Sequence, residues 1–233
     1  MEKKIIFWVV SLSLVALALA ILLPGGRQPD PNPKLPWDIQ STSNQSIRVF
    51  QLTLGSSTLE EARRVFQMQG DTNLFIGDDG KPALEAYFER VFLSGLRADF
   101  VVVLEADEGL LNEIYERGSR ISRSTDATHK VDLDAEDGLL ASNLPIKLIN
   151  YIPYANLDES LIADRFGQPT EKITEMETGI SHWIYPDRGL SIGLNPDGKE
   201  LIQYMPPADI AGLITRIEAH NRDYEAKAQS DSG

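Results

Sequence analysis

The feature that constrains this chain most is an uninterrupted apolar run near its N-terminus. Ile5 to Leu23 spans nineteen residues, and only Ser11 and Ser13 among them are polar. At about 1.5 Å per residue, a helix of that length reaches about 28 Å, close to the hydrocarbon thickness of a bilayer. The sequence therefore predicts one transmembrane helix within residues 1–23, with residues 5–23 in contact with the lipid bilayer.

The charges beside this run predict its orientation. Lys3 and Lys4 precede it, so the positive-inside rule leaves the N-terminus in the cytoplasm and sends the rest across the membrane. We expect a single-pass protein of the inner membrane with its folded part in the periplasm. The alternative is a cleaved secretory signal, because Ala16, Ala18 and Ala20 form A-x-A triplets. Both interpretations place the folded part outside the cytoplasm.

Residues 24–36 predict a spacer between the membrane and the folded part. The segment contains five prolines and two glycines. Such a chain has few backbone donors and little to bury, so it should be extended and semi-stiff. At about 3.1 Å per residue, it would hold the folded part up to roughly 40 Å from the bilayer.

Composition excludes several classes of site and partner. The 233 residues contain no cysteine, which excludes a disulfide framework, a thiolate zinc site, a cysteine nucleophile and a lipid-modified N-terminal cysteine. The formal net charge is −13. A surface that acidic repels phosphate backbones and anionic head groups, so we expect no nucleic-acid partner and no peripheral binding to lipid.

Hydrophobic periodicity and turn signals predict an α+β fold, with short helices on one face of an antiparallel sheet. We expect two related halves, 37–144 and 145–224, and a disordered tail over 225–233. Strands are predicted at 47–54, 83–93, 97–105, 146–152, 180–186, 190–195 and 199–205, with an irregular one in 119–133. Helices are predicted at 58–68, 108–117, 134–143, 156–166 and 208–223.

Two further expectations concern the sheet. The run Phe100–Leu104 lacks polar alternation, which predicts a central strand, and Val49 and Leu52 are predicted to be core residues. The order of strand, helix and meander occurs twice, and the helix sequences TLEEARRVF and NLDESLIADRF align with a two-residue gap. Internal duplication is therefore a hypothesis.

The second half resembles a known family. LDESLIADRFGQP followed by HWIYPDRGLSIGLNPDGKELIQY resembles the core pattern of the SmpA/OmlA-type outer-membrane assembly lipoproteins. The matching residues are Leu161, Phe166, Gly167, Pro169, Trp183 and Tyr185. The resemblance implies an α+β domain that binds proteins; the lipoproteins are accessory subunits of a β-barrel insertion machine. This chain differs in having two halves and no lipid-modified cysteine. As a whole it also resembles an uncharacterised group of proteobacterial membrane-anchored envelope proteins with the same layout.

The sequence predicts no catalytic, metal or cofactor site. His129, His182 and His220 are far apart in sequence, and no metalloprotease, hydrolase or nucleotide-binding motif is present. His182 beside Trp183 is interpreted as a satisfied surface or rim histidine. The three acids Glu85, Glu89 and Glu105 are interpreted as solvent-facing partners of arginines rather than as a catalytic pair.

An acidic cluster around residues 132–137 invites a calcium interpretation. An EF-hand loop needs glycine at its sixth position and glutamate at its twelfth. Counting from Asp132, those positions hold Asp137 and Asn143. Capping of the following helix by Asp134 explains the cluster better.

Trp183, Tyr185 and Tyr204 are the candidate site residues. Trp183 and Tyr185 are two apart on one predicted strand and therefore share a face. They are expected either to pack in the core against the predicted 156–166 helix or to form an aromatic patch that binds a protein. Both alternatives stay open from the sequence.

Two functions follow as hypotheses. The first is a non-enzymatic, membrane-tethered interaction module of the periplasm whose partner is an envelope protein. The second is a periplasmic domain that binds or senses a small molecule. A hydrophobic pocket between the two halves would favour the second, and a solid core of sheet on helices would count against it.

Overall fold

The structure, a computed structural model, describes residues 31–42, 45–77, 80–118, 120–123 and 129–231. The predicted transmembrane helix and most of the predicted spacer lie outside these ranges. Within them, no helix combines the length and the apolar character needed to span a membrane. Contacts divide the chain into residues 1–33 and residues 34–233, and the fold below is that of the second unit.

The described residues form an α+β fold with two antiparallel sheets. The strands are β1 (Gln40–Ser41), β2 (Ile47–Val49), β3 (Leu52–Thr53), β4 (Asp71–Ile76), β5 (Pro82–Leu93), β6 (Leu96–Leu104), β7 (Arg120–Arg123), β8 (His129–Asp132), β9 (Ile146–Pro153), β10 (Glu171–Thr174), β11 (Ser181–Tyr185), β12 (Leu190–Leu194) and β13 (Leu201–Tyr204). The α-helices are α1 (Leu59–Phe66), α2 (Glu108–Arg117), α3 (Ala135–Ser142), α4 (Glu159–Phe166) and α5 (Ile210–Asp231). Short 3₁₀ helices follow β11 and β13 at Pro186–Arg188 and Pro207–Asp209.

One continuous sheet joins the two halves. Its order is β10-β11-β12-β13-β9-β6-β5-β4-β8-β7, and every pairing in it is antiparallel. The halves meet where β6 pairs with β9, with Phe100 opposite Tyr151. The central position predicted for Phe100–Leu104 is confirmed. Strands β1, β2 and β3 form a separate small sheet.

The main core lies on one face of the large sheet, called here the inner face. A row of opposed residues crosses it through six strands: Phe88, Phe100, Tyr151, Ile202, Ile192 and Trp183. Helices α1 to α4 pack in the same cluster, and Val49 and Leu52 of the small sheet are buried there as predicted. Such a row of large side chains on a pleated face is the main source of hydrophobic stabilisation.

The opposite, outer face carries the last helix, which corrects the expectation that all helices lie on one face. Ile184 alternates with Trp183 and Tyr185 along β11, so its side chain points to the outer face. It forms a second cluster with Met205 and with Ile210, Leu213 and Ile217 of α5. β11 and β12 have buried residues on both faces, and α5 covers the second one.

Local sequence signals set the helix starts. Thr58 and Glu61 form a capping box at α1, with Thr58 Oγ1 accepting from the Glu61 backbone N–H. Asp107 caps α2, and Asp134 caps α3 as predicted. Helix α4 is capped by Asp158, two residues later than the predicted start at residue 156.

The predicted strand 47–54 is instead a tight hairpin. Phe50 and Gln51 have φ of 53° and 67°, which is the left-handed geometry of a two-residue hairpin turn. Phenylalanine and glutamine are not typical residues of such a turn, so the sequence does not indicate that the chain reverses here. Burial of the Phe50 ring offsets its backbone strain, since it packs against Phe100, Tyr151 and Tyr204.

Several strands and the end of α5 also differ from the prediction. Strands β4 and β10 lie in segments without a predicted strand, and the single irregular strand expected in 119–133 is two paired strands, β7 and β8. Helix α5 continues through Asp231, where a disordered tail was expected from 225. Residues 225–229 are Glu, Ala, Lys, Ala and Gln, all strong helix formers.

Candidate functional site

Trp183, Tyr185 and Tyr204 lie in the core rather than on the surface. Each is at most 4% exposed. Trp183 and Tyr185 belong to the inner-face cluster together with Ile162 and Phe166 of α4. The core-packing alternative therefore describes these side chains, and the aromatic-patch alternative does not hold in this structure. The physical reason is that α4 and the N-terminal segment cover the face on which they lie.

Two of these aromatics hold backbone segments in place through their hydroxyls. Tyr185 Oη donates to the Gly167 carbonyl at 2.9 Å, and Tyr204 Oη donates to the Pro36 carbonyl at 2.8 Å. Burial raises the pKa of Tyr185 to about 12 and raises the pKa of Tyr204 well above its ordinary value. Both hydroxyls therefore remain protonated donors at neutral pH.

A hydrophobic groove opens beside this core, between the two halves. Its volume is about 600 Å³. It is lined by residues of the N-terminal segment, of the β5–β6 hairpin, of β9 and the loop after it, of α4 and of β13: Pro36, Trp37, Phe92, Gly95, Leu96, Arg97, Tyr151, Pro153, Tyr154, Ala155, Leu157, Leu161, Ile162, Arg165, Phe166 and Ile202. We call this site the inter-half groove.

The first wall of the groove is the segment around Pro36 and Trp37. Arg188 fixes it, since its guanidinium donates to the Phe166 carbonyl at 2.6 Å and to the Trp37 carbonyl at 3.1 Å. The Trp37 ring meets Phe166 edge-on at 6.3 Å between centroids. This wall therefore packs against α4. The folded unit begins at Lys34, three residues before the predicted boundary.

The second wall is the turn between β5 and β6. Ser94 and Gly95 adopt φ of 48° and 90° in the turn. Ser94 Oγ accepts from the Lys34 backbone N–H at 2.7 Å, which joins this wall to the first. The Tyr154 N–H donates to the Arg97 carbonyl at 3.0 Å and extends the pairing of β6 with β9 into the rim.

The rim exposes large apolar side chains. Phe92 is 60% exposed, Tyr154 43% and Leu161 37%. Exposed apolar residues that line one concavity mark a binding surface more often than scattered ones do. The groove has no local sequence signal, because its walls come from segments far apart in the chain. Of its rim residues, Leu161 alone was named from the sequence, within the family resemblance.

Charge is distributed unevenly around the groove. Among its lining residues, the charged side chains are Arg97 and Arg165, and none is acidic. The Arg165 guanidinium lies over the Trp37 ring, 4.8 Å from its centroid. The chain as a whole has 35 acidic and 22 basic residues, so a lining without a carboxylate differs from the average surface.

The histidines and acids that were considered as catalytic or metal-binding residues do not line the inter-half groove. His182 is buried, and its Nε2 is 2.8 Å from Glu175 Oε1. Ile184, its neighbour two residues along β11, points to the outer face, so His182 lies there too, away from the groove. Glu89 pairs with Arg90 as expected, whereas Glu85 is half-buried and burial raises its pKa. Over the described ranges, no three side chains of the metal-binding types are grouped to hold an ion.

The acidic cluster near α3 serves the fold. Asp134 Oδ1 accepts from the Asp137 backbone N–H at 2.7 Å, as the capping interpretation predicts. Asp137 is itself buried and forms a two-point ion pair with Arg117, at 2.6 Å and 3.2 Å. That pair raises the pKa of Arg117, with the hydrogen bond to Asp137 as the main cause.

Comparison of the chain with protein-family models, with curated protein sequences and with solved structures found no significant match in any of the three.

Proposed function

We propose that this chain is a non-enzymatic, membrane-tethered binding module of the periplasm, and that the inter-half groove binds a small molecule with an apolar body. The groove carries the proposal: a preformed, largely apolar concavity lies between the two halves, as expected for a ligand-binding domain. Its volume of about 600 Å³ falls within the range of small-molecule sites. The predicted helix at residues 5–23 and the spacer would hold this site near the inner membrane.

The energetics of the groove favour an alkyl or aryl ligand. Each CH₂ group transferred from water to such a lining gains about 0.8 kcal/mol. The walls are already joined by the bonds of Arg188, Tyr204 and Ser94, so little ordering free energy opposes binding.

The lining supports a binding role rather than a catalytic one. Its charged residues are arginines, a residue type that serves poorly as a general acid or base. Its two tyrosines, Tyr151 and Tyr154, both have a raised pKa, for which burial is the largest cause. No pair of groups poised for proton transfer lines the groove.

A protein partner is the second candidate, and the exposed rim favours it. Phe92, Tyr154 and Leu161 would present two aromatic rings and one aliphatic side chain to an incoming surface. Aromatic residues are enriched where proteins meet. In that case the occupant would be an apolar segment of an envelope protein, as the family resemblance implies.

The groove is tested by photolabelling. The full-length chain in phosphatidylcholine nanodiscs is exposed to an alkyl probe that carries a diazirine, and labelled peptides are mapped by mass spectrometry. We expect label in residues 92–97 and 151–166. Ala155→Trp would fill the groove from an exposed lining position and remove that label, whereas Ala226→Trp, on the exposed end of α5, would leave it. Label confined to the membrane segment, or unaffected by Ala155→Trp, would refute the groove as a ligand site.

Localisation is tested separately, since the chain has no native cysteine. In cells with a permeabilised outer membrane, Ala226→Cys should react with a membrane-impermeant maleimide, and Lys3→Cys should react only after lysis. Labelling of Ala226→Cys only after lysis would place the folded part in the cytoplasm. The mass of the purified protein distinguishes a retained anchor from a cleaved signal.

A further inference from the structure

The rim of the inter-half groove is cationic in an otherwise acidic molecule. Arg97 and Arg165 line it, and neither is among the ion pairs of the described part of the chain. Other arginines are: Arg117 is paired with Asp137, and Arg222 with Glu218. The carboxylate beside the rim residue Tyr154, that of Asp99, accepts from the Arg90 backbone N–H at 2.7 Å. Arg97 and Arg165 are both exposed, so the donors of their guanidiniums are available beside an apolar surface.

Each of these arginines sits on an ordered support. Arg165 is on the last turn of α4 and lies over the Trp37 ring. Arg97 is in β6, next to the turn, and its carbonyl is bonded to the Tyr154 N–H. Stacking on an aromatic ring leaves the edge of a guanidinium free to donate, and that edge matches the two oxygens of a carboxylate.

We propose, on the basis of the binding function proposed above, that the ligand is a single-chain amphiphile with a carboxylate head, such as an alkanoate. The apolar chain lies in the groove and the carboxylate meets Arg97 and Arg165 at the rim. A volume of about 600 Å³ suits one chain rather than a two-chain phospholipid. A cationic head would be repelled by both arginines, and an uncharged head would gain no charge-assisted bond.

The net charge of −13 does not prevent a carboxylate from binding at the rim. At physiological ionic strength, exposed charges are screened beyond about 8 Å, so distant carboxylates act weakly on a ligand at the rim. The groups within that distance decide the outcome. The lining supplies the two arginines, and at Tyr154 the Lys199 ammonium over the ring and the Asp99 carboxylate beside the hydroxyl offset each other.

Three probes with the same chain and different heads test the proposal. Decanoate, decanol and decyltrimethylammonium compete with the diazirine probe for the groove of the full-length chain in phosphatidylcholine nanodiscs. Decanoate should compete about tenfold more strongly than decanol, since bonds to a charged group typically contribute that much. Decyltrimethylammonium should compete least, and added salt should reduce the advantage of decanoate.

Arginine variants test whether the preference for decanoate over decanol comes from the rim. Arg97→Gln and Arg165→Gln should each weaken competition by decanoate by about fivefold to tenfold and leave competition by decanol unchanged. The unchanged decanol value also shows that the groove stays intact, which matters because Arg165 contacts Trp37. Arg48→Gln, an exposed arginine of the small sheet outside the groove, is the matched control and should change neither value.

The outcomes separate this inference from the function it rests on. Equal competition by decanoate and decanol would overturn the carboxylate proposal and leave the groove a site for apolar ligands. Failure of all three probes, with no label in the groove, would overturn both. A decanoate preference that persists in the Arg97→Gln/Arg165→Gln double variant would also reject the assigned role of the arginines.

Discussion

At the scale of single residues, Tyr204 fixes the start of the folded unit. Its side chain is fully buried, and its hydroxyl donates to the Pro36 carbonyl. Tyr204→Phe would leave that carbonyl without this donor, at a cost of about 1 kcal/mol in the free energy of unfolding. Pulse proteolysis of the full-length chain in urea measures the change. Tyr115→Phe, at an exposed position on α2, is the control and should have no effect.

A second residue-scale prediction concerns acid. Burial opposes the ionisation of Glu175, but hydrogen bonds from Thr178 at 2.6 Å and His182 at 2.8 Å outweigh it and lower its pKa below 4.5. Because the pKa is lower in the folded state, the ionised carboxylate stabilises the fold above pH 4.5, and this contribution disappears as pH falls through the folded pKa.

Glu175→Gln should therefore destabilise the protein at neutral pH and remove part of its acid sensitivity. The free energies of unfolding of wild type and variant should converge below pH 4.5. Urea denaturation of the full-length chain over a series of pH values measures this, with Glu171→Gln on exposed β10 as the control. A constant difference at all pH values would contradict the assignment to the Glu175 carboxylate.

Residue-scale features were predictable where the signal is local. The Asp134 cap and the buried Val49 and Leu52 follow from patterns within a few residues. The positive φ of Phe50 does not, because what stabilises it is the contact with Phe100, Tyr151 and Tyr204. Burial of the Trp183 ring depends in the same way on segments that meet only in the folded chain.

At the scale of elements, the turn between β11 and β12 depends on Gly189. Its φ is 57°, and a Cβ at this position would lie 2.0 Å from the Met205 carbonyl oxygen. The same two residues are joined, since the Met205 N–H donates to the Gly189 carbonyl at 2.9 Å. The turn therefore packs directly against the end of β13 and leaves no room for a side chain.

Comparison with Gly55 separates this clash from backbone strain. Gly55 has φ of 75°, and a Cβ added there would meet nothing within 4 Å, so Gly55→Ala should lower the free energy of unfolding by about 1 kcal/mol through strain alone. Gly189→Ala should lower the free energy of unfolding by about 1–3 kcal/mol more than Gly55→Ala, because its Cβ would overlap the Met205 carbonyl oxygen. Urea midpoints of the two variants measure the difference, and equal effects would mean that the turn relaxes freely.

Elements missed from the sequence share one property: their partners define them. β10 is a short, largely polar edge strand, EKIT, which pairs only with β11. β4 begins with three polar residues and lies between β5 and β8. The first four helices of the described residues, by contrast, carry N-caps within their own sequence and were predicted to within three residues at each end, whereas α5 was predicted but extends eight residues beyond its predicted end.

At the scale of the whole molecule, the β6–β9 pairing makes the two halves one structure. Residues from both halves share the inner-face cluster, including Phe88 and Phe100 from the first and Tyr151 and Trp183 from the second. The sequence predicted the halves but not their continuity, because strand pairing across a boundary has no local signature. The inter-half groove exists only as a result of this continuity, which is why sequence patterns do not reveal it.

This continuity predicts that the two halves unfold together. Loss of either half would expose a long edge strand, β6 or β9, and would open the shared core. Hydrogen exchange of the full-length chain in nanodiscs with increasing urea measures each half by its own peptides. Amides of β5 and β12 should report the same free energy of opening and the same urea dependence, because both exchange through global unfolding. Two separate values would mean that the halves are independent domains, and the groove would then lie at a hinge rather than within one rigid sheet.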